Sequence, residues 1–274
     1  MTRITLTEQD IINTYDERQQ EQCRLYKKYL EIKAQNPSFG YKRISKLLGQ
    51  PYSKTRWWHA KKHIPVPIQT VNWLKNKGLI PFKADHEKID LIARLLGATF
   101  GDGGIFGTLN AIFLSSSELE SVKEFGEDLK RVFGDEIEEN HRIIEAGEYG
   151  HSWCYQNTNR CVIRFFMALG SPIGEKAQTE LITPEVITSG NIIRKDEFFG
   201  TLFGAELGVP KVHISGTCLD TLSFGITAKD DLAQNRIDFL HDIATYLNNK
   251  GINTGAISIS DHKKENRSGE PTKI

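Results

Sequence analysis

Two stretches of the chain share one pattern, in which an apolar run carries small residues at helical spacing and ends on an acid. Residues 95–104 read LLGATFGDGG and residues 198–208 read FFGTLFGAELG. Residues four apart lie on one face of a helix, so each stretch predicts a helix with a smooth strip on which another backbone can lie close. The strips pair Gly97 with Gly101, Gly200 with Gly204, and Thr201 with Ala205. If the strips face each other, Asp102 and Glu206 come side by side at the helix ends.

The pattern before the first stretch predicts a small helical region. Thr7 followed by Asp10 is typical of a helix start, and a polar helical pattern continues to residue 35. Two short helices are expected next, over residues 40–49 and 54–62, and a further one over residues 70–77. A linker at residues 81–84 closes this region.

From Asp85, the expected cap of the first long apolar helix, the pattern changes to helix, two strands, helix, two strands, helix. The same order restarts at Asp196, the expected cap of the second apolar helix, with a hairpin over residues 212–226, a helix over 230–247 and a strand near 256–259. The second round stops before a fourth strand, so it reads as incomplete and predicts an uncovered sheet edge near Ala256. The sequence therefore predicts an α+β fold with three parts, residues 1–84, 85–190 and 191–274.

Charge separates the first part from the rest. Residues 1–83 hold 16 Lys and Arg against 6 Asp and Glu, whereas residues 84–274 hold 19 against 29. Residues 38–84 contain ten basic residues and no acid. Solvated surfaces mix both signs, so an acid-free stretch of this length favours a polyanionic partner.

Within that stretch, the two short helices and the turn Gly49-Gln50-Pro51 form a helix-turn-helix pattern, with Ser53 as the expected cap of the second helix. A plain helical hairpin is the alternative, and the missing acids favour double-stranded DNA as the partner. Trp57 and Trp58 cannot both be buried on one face, so one is expected in the core and the other near DNA. The residues assigned to DNA binding are Lys42, Arg43, Lys54, Arg56, Trp58, Lys61 and Lys62.

Composition narrows the class of protein to which the chain can belong. A hydrophobic content of 39% and a charged content of 26% suit a globular protein, and no apolar run is long enough for a membrane span. The first residues lack a signal-peptide core, and the four cysteines form no CxxC pair, which favours a cytoplasmic protein with reduced thiols. Zinc binding by Cys154 and Cys161 with His141 and His151 is a minor alternative.

The two acids carry the candidate chemistry. Oxygen-only ligands at two helix ends suit Mg²⁺ or Mn²⁺ rather than zinc. Either stretch alone would be an ordinary buried helix that ends on glycine. A phosphate-cradling loop is a further alternative for the GDGG sequence, but that sequence follows a helix and does not match GxGxxG. The acid in the same place twice favours a metal site.

The two stretches resemble the paired signature helices of LAGLIDADG homing endonucleases in their single-chain, two-repeat form. Gly97 falls on the first glycine of the motif, Asp102 on its catalytic acid and Gly103 on its closing glycine, while Glu206 takes the acid position of the second copy. Thr201 and Leu207 stand where glycines are usual, so that copy is looser.

The resemblance implies a monomeric, metal-dependent DNA endonuclease that packs two pseudo-symmetric repeats through these helices. In this family, each repeat cuts one DNA strand with its own acid, and curved antiparallel sheets bind the duplex. The carbonyl groups of Gly101 and Ala205 are implied as further metal ligands. A basic catalytic helper is also implied, for which Lys176 is preferred over Lys211 and Arg160.

Three other functions stay open. A helix-turn-helix regulator could carry a relict endonuclease fold, although a relict site has no need to keep both acids. An intron RNA maturase could use the same scaffold with the acids optional. An endonuclease segment of an intein is disfavoured by the initial methionine and by the lack of splicing-type ends.

Overall fold

The computed structural model describes residues 4–146, 151–208, 210–219, 221–259 and 272–273. The chain divides into two compact units, one that runs to Lys83 and one that starts at Ala84. Helices and antiparallel strands are both present, as in the α+β class. None of the helices in the described ranges combines the length and the apolar character that crossing a membrane requires.

The first unit is mainly helical. Its elements are β1 (Ile4–Leu6), α1 (Glu8–Asn13), α2 (Glu17–Gln35), α3 (Tyr41–Leu48), α4 (Tyr52–Ala60), α5 (Val66–Asn76) and β2 (Phe82–Lys83). The Thr7 side chain accepts a hydrogen bond from the Asp10 backbone N–H, and the Asp10 carboxylate accepts one from the Thr7 backbone N–H at 2.7 Å. This reciprocal cap confirms the predicted helix start. Strand β1 pairs antiparallel with β2.

Helices α3 and α4 are joined by a tight turn. Gly49 ends α3 in the left-handed conformation with a φ of 61°, which glycine adopts without strain. Helix α4 begins at Tyr52, directly after Pro51, so Ser53 lies inside the first turn and is not the cap. Helix α5 likewise begins at Val66 rather than residue 70, because Pro65 and Pro67 favour the start of a helix.

The second unit contains helices, a four-stranded antiparallel sheet and a two-stranded one. Its elements are α6 (Ile89–Phe100), β3 (Gly103–Ile105), β4 (Ile112–Ser116), α7 (Leu119–Phe133), β5 (His141–Ala146), β6 (Ser152–Asn157), α8 (Arg160–Ala168), α9 (Glu185–Thr188), α10 (Ile192–Glu206), β7 (Ala228–Lys229), α11 (Ala233–Asn249) and β8 (Thr272–Lys273). The four-stranded sheet has the order β3-β4-β6-β5.

One face of that sheet packs against α7. The Tyr155 ring on β6 lies edge-on to Phe125 at 5.7 Å, and it fills the space beside Gly126. Side chains alternate along a strand, so Cys154 and Gln156 point to the opposite face. The register of β4 against β6 adds Phe113 and Ser115 to that second face.

Helix α10 begins earlier than the sequence predicts. The Asn191 side chain accepts a hydrogen bond from the Arg194 backbone N–H at 3.0 Å and caps the helix. Asp196 therefore lies inside the helix, where it accepts a hydrogen bond from the Tyr246 hydroxyl at 2.7 Å, and its prediction as the cap is wrong. Asp85 is also not a cap, because α6 starts at Ile89 after Lys88.

The predicted strands of the second round are mostly not formed in the described residues. The expected hairpin over residues 212–226 is reduced to one bridge between Val212 and Leu219. Val212 is 66% exposed and Ile214 is fully exposed, so no packed surface fixes the alternation that a hairpin needs. Residues 256–259 are irregular, and β7 instead pairs with β8. The sheet edge expected near Ala256 is therefore wrong.

Candidate active site

Helices α6 and α10 pack at backbone contact. A methyl group built on Gly97 would lie 2.3 Å from the Phe198 carbonyl oxygen and 3.1 Å from the Thr201 Cβ. A methyl group on Gly101 would lie 2.5 Å from the Ala205 Cβ. Only glycine fits at these two positions, so the predicted strip on α6 is confirmed as the contact surface.

The strip on α10 differs in part from the prediction. Thr201 and Ala205 form it as expected, together with Phe198 one turn earlier. Gly200 and Gly204 have no atom within 4 Å of the place where a Cβ would stand, so they lie off the contact. A side chain as large as Phe198 can line it because its backbone oxygen, rather than its ring, meets Gly97.

The register of the two helices brings the acids together. Gly97 is opposite Thr201 and Gly101 is opposite Ala205, so both helices run in the same direction. Asp102 and Glu206 follow one residue later at the shared end. The last carbonyl groups of each helix add partial negative charge there, so two carboxylates at this point favour a bound cation.

The pKa values of both carboxyl groups are raised above their ordinary values. Partial burial raises the pKa of Asp102, and the charge of Lys176 opposes that shift. Partial burial also raises the pKa of Glu206, where Lys176 opposes the shift and Asp102 adds to it. The charge of Asp102 therefore acts on Glu206, and the charge of Lys176 acts on both carboxyl groups.

Lys176 lies in the segment that connects α8 to α9. Burial lowers the pKa of its ammonium to about 8, against the opposing charges of Glu206 and Asp102. Among the three basic candidates, all within the described residues, Lys176 is the one whose charge lowers the pKa of both carboxyl groups. Arg160 and Lys211 are exposed.

A cavity of about 320 Å³ adjoins Asp102 and is lined by α6, α7, β4 and α10. Its polar wall includes Asp128, which is 3% exposed and binds Arg94 at 2.5 Å and Arg131 at 3.0 Å. Asp102 itself is exposed, so solvent reaches the acid end of the helix pair.

The donor set at the acid pair fits a hard divalent cation. It consists of carboxylate oxygens, to which the family resemblance adds the carbonyl groups of Gly101 and Ala205 as a prediction. Mg²⁺ and Mn²⁺ prefer oxygen ligands. In the described ranges there is no group of three His, Cys, Asp or Glu side chains placed to hold a metal. The zinc alternative therefore has no support there, because Cys154 is buried in the sheet while His151 is exposed.

The sheet face opposite α7 carries polar groups that the sequence pattern did not single out. The Arg142 guanidinium on β5 donates two hydrogen bonds to the Gln156 side-chain oxygen, at 2.9 and 2.7 Å. Phe113 lies on the same face and stacks on Phe106 at 4.4 Å. Side chains alternate between the two faces along β5 and β6. This alternation identifies the residues of the second face, but only once the pairing of the two strands is known.

In the first unit, the basic residues assigned to DNA binding are mostly exposed. Lys54 is half-buried and lies over the Trp58 ring at 5.6 Å, while the exposed residues are Lys42, Arg43, Arg56, Lys61 and Lys62. Trp58 itself is 6% exposed and packs against Tyr26 and Tyr29 of α2. Its assignment to DNA binding is wrong, because its ring fills the core.

Trp57 is the exposed member of the pair. It is 58% exposed, and its ring lies edge-on to His63 at 5.5 Å. Neighbouring residues on a helix point in directions about 100° apart, which is why burial of Trp58 leaves Trp57 outside.

Comparisons with known proteins give partial matches. No family model matches the chain. It is 30% identical over 195 residues to the DNA-directed RNA polymerase subunit Rpo1N of Methanocaldococcus jannaschii, which covers 66% of this chain and 14% of that protein. It is 30% identical over 206 residues to the tRNA-splicing ligase RtcB of Pyrococcus abyssi, covering 71% and 22%, and 25% identical over 185 residues to the replication factor C small subunit of M. jannaschii, covering 66% and 10%.

Among solved structures, similarity is found to mesophilic variants of the homing endonuclease I-DmoI, with a TM-score of 0.37, 18% identity and coverage of 69% of this chain and 89% of that one. A structure of an I-DmoI variant with its nicked target DNA and manganese gives a TM-score of 0.36 and 16% identity, with the same coverage. The chain spans less than a quarter of the length of the curated relatives that it matches.

Proposed function

We propose that this protein is a metal-dependent endonuclease of the LAGLIDADG homing type, which hydrolyses both strands of a DNA duplex. The observation that carries the proposal is the parallel packing of α6 and α10, which supports Asp102 and Glu206 as neighbours at one end of the helix pair. The charge of Lys176, which acts on both carboxyl groups, supports it as the third member of the site. Because one chain supplies both acids, it acts as a monomer.

The residues of the site have separate tasks in this reaction. Asp102 and Glu206, with the carbonyl groups of Gly101 and Ala205, would hold divalent metal ions at the helix ends. A metal held there would supply an activated water and neutralise charge on the phosphate. By the pseudo-symmetry of the helix pair, each acid serves one DNA strand.

Lys176 is the positively charged side chain that the protein contributes to this site. At neutral pH its ammonium is protonated, since its pKa is about 8. It stabilises the negative charge that develops on the phosphate and can donate a proton to the leaving oxygen. A pKa close to the working pH suits both tasks.

Two surfaces would bind the duplex. In the second unit, Arg142 is exposed on the sheet face that does not pack against α7, and arginine pairs with guanine edges in the major groove. In the first unit, the exposed cations near α3 and α4 suit phosphate contacts.

The curated relatives support a mobile module rather than their own named activities. Each match covers about two thirds of this chain, so the matched residues must overlap from one relative to the next. An RNA polymerase subunit, an RNA ligase and a replication factor have different activities, so residues that match more than one of them do not account for those activities. A segment that spreads between unrelated host proteins is what a homing endonuclease predicts.

The test is a cleavage selection. A random duplex library is first bound in EDTA, Mg²⁺ or Mn²⁺ is then added, and the cut ends are sequenced. The wild type should give defined ends and the Asp102→Asn variant none. Binding of duplexes without cutting would favour the regulator, and preference for a structured RNA would favour the maturase. Either result would overturn the proposal.

A further inference from the structure

The segment that carries Lys176 is fixed to the sheet at its first end. The Ile105 backbone N–H donates to the Pro172 carbonyl at 3.0 Å, and the Gly174 N–H donates to the Ile105 carbonyl at 2.7 Å. Ile105 is the last residue of β3, the strand that directly follows Asp102. These bonds fix where the segment begins, two residues before Lys176.

Helix α11 fixes the other end of the segment. The Arg236 guanidinium donates through Nη2 to the Lys176 carbonyl at 2.5 Å and to the Thr179 carbonyl at 2.6 Å. The neighbouring Asn235 side chain accepts from the Leu181 N–H at 2.8 Å and donates to the Leu181 carbonyl at 3.0 Å. Four hydrogen bonds therefore join the first turn of α11 to residues 176–181.

Burying the charged side chain of Arg236 costs free energy, which a purely structural bond does not require. It is 3% exposed, and burial lowers the pKa of its guanidinium. Its hydrogen bonds go to backbone carbonyl groups and to the Asn235 side-chain oxygen rather than to a carboxylate, and the charge of Glu180 offsets the effect of burial only in part. Asn235 shows that a neutral side chain can hold the same segment. The Nη2 group donates to both the Lys176 and the Thr179 carbonyl, while Nη1 donates to the Asn235 side-chain oxygen, so the guanidinium ties this turn of the segment to the start of α11.

Helix α11 is itself tied to the helix that carries Glu206. Near its far end, Tyr246 donates to the Asp196 carboxylate at 2.7 Å and Lys250 donates to it at 2.6 Å. The Tyr246 ring also stacks on Phe199 of α10 at 4.4 Å. Helix α11 thus connects α10, through Asp196, to the backbone of Lys176.

We propose that Arg236 is the positioning residue for Lys176, holding its backbone so that its ammonium stays beside Asp102 and Glu206 during cleavage. This inference rests on the proposed function of the site. It assigns a role in cleavage to a helix that does not itself carry one of the two acids.

The first test is a cleavage cycle with Arg236→Met, Lys176→Met and the double variant. Arg236→Met should lower kcat about 10- to 100-fold, as expected for a displaced catalytic group, while the Kd for DNA stays within about threefold. Arg236→Lys should recover part of the loss, because an ammonium can donate to the same carbonyl groups. In the Lys176→Met background, Arg236→Met should cause no further loss of kcat. Equal losses in both backgrounds would overturn the proposal.

Asp196→Asn is the matched control, because it weakens the attachment of α11 without touching residues 176–181. If this variant lowers kcat as much as Arg236→Met at equal thermal stability, Arg236 acts through general packing and the proposal fails.

A second measurement does not depend on cleavage. Amide hydrogen exchange of residues 176–183 in the metal-free protein should be at least about tenfold faster in Arg236→Met than in the wild type, and unchanged in Asp196→Asn. Unchanged exchange in Arg236→Met would overturn the positioning role whether or not the wild type cuts DNA. If the wild type does not cut DNA while hydrogen exchange changes as expected, the proposed function fails. The anchoring of residues 176–181 by Arg236 is then still supported.

Discussion

Gly101 faces Ala205 so closely that a methyl group on Gly101 would stand 2.5 Å from the Ala205 Cβ. One residue further along each chain segment is an acid, Asp102 or Glu206. The spacing of the two carboxylates is therefore set by two backbones in contact, which move less than long side chains do. Small residues in these helices serve the geometry of the acids as well as the packing of the core.

Substitution of Gly97 tests this contact. Gly97→Ala places a methyl group 2.3 Å from the Phe198 carbonyl oxygen, which belongs to backbone and cannot rotate away. The two helices must separate, so we expect the free energy of unfolding to fall by about 1–3 kcal/mol. Urea denaturation measures the change.

Gly200→Ala is the matched control, because nothing lies within 4 Å of its added methyl group. It lies inside α10, where alanine favours the helix, so stability should rise by about 0.5–1 kcal/mol. Equal effects of the two substitutions would show that α6 and α10 do not meet along the Gly97 strip.

The two acids should be required for cleavage and not for binding. Asp102→Asn or Glu206→Gln keeps the shape of the side chain and removes the charge that attracts the metal, so double-strand cleavage should be lost while some nicking of one strand remains. Because the pKa of each carboxyl group is raised, the fold disfavours their charged forms, and each variant should be slightly more stable than the wild type without metal.

Metal addition gives an independent measurement of the same site. Mg²⁺ or Mn²⁺ binds the folded protein, so it should raise the Tm of the wild type and should raise that of Asp102→Asn less. The reverse order, or full cutting by either variant, would remove the two-acid mechanism.

Lys176 should make stability depend on pH in the alkaline range. Its pKa is about 8 in the folded protein and 10.5 ordinarily, so between these values the unfolded chain binds more protons. The free energy of unfolding therefore rises with pH across that window, by at most about 3–4 kcal/mol, while below pH 8 the cost of the buried charge is present in full. Denaturation of the metal-free protein at pH 7.5 and 10, compared with Lys176→Met, isolates this contribution. A difference between the two proteins that does not change with pH would contradict it.

Local patterns predicted more of this structure than distant contacts did. The cap formed by Thr7 and Asp10 and the contact strip on α6 depend on residues three or four apart, so the sequence shows them directly. The hydrogen bond from Arg236 to the Lys176 carbonyl joins residues 60 apart, and no local spacing marks it. The positioning residue was therefore found only in the structure.

The choice between Trp57 and Trp58 shows the same limit. Both occupy one short basic helix, and the sequence requires only that they face different ways. The aromatic residues Tyr26 and Tyr29 on α2 decide which ring is buried. Likewise, the alternating residues 212–226 resemble a hairpin, but a hairpin also needs a surface against which one face can pack.

The exposed cations of the first unit should contribute to DNA binding through phosphates. Arg56 lies on α4 and Lys61 directly follows it, both exposed and within a stretch that contains no acid. Replacing both by Gln should lower affinity for duplexes of any sequence and reduce the slope of log K against log salt by about 1.8, since each phosphate contact contributes about 0.9. The matched control replaces Lys27 and Lys28, two exposed cations of α2, a helix that also carries acids, and should leave the slope almost unchanged. Binding is measured by fluorescence anisotropy from 50 to 300 mM salt in EDTA, so that cleavage does not interfere. If both double variants reduce the slope equally, the first unit attracts DNA only through its total charge and has no binding surface at α3 and α4.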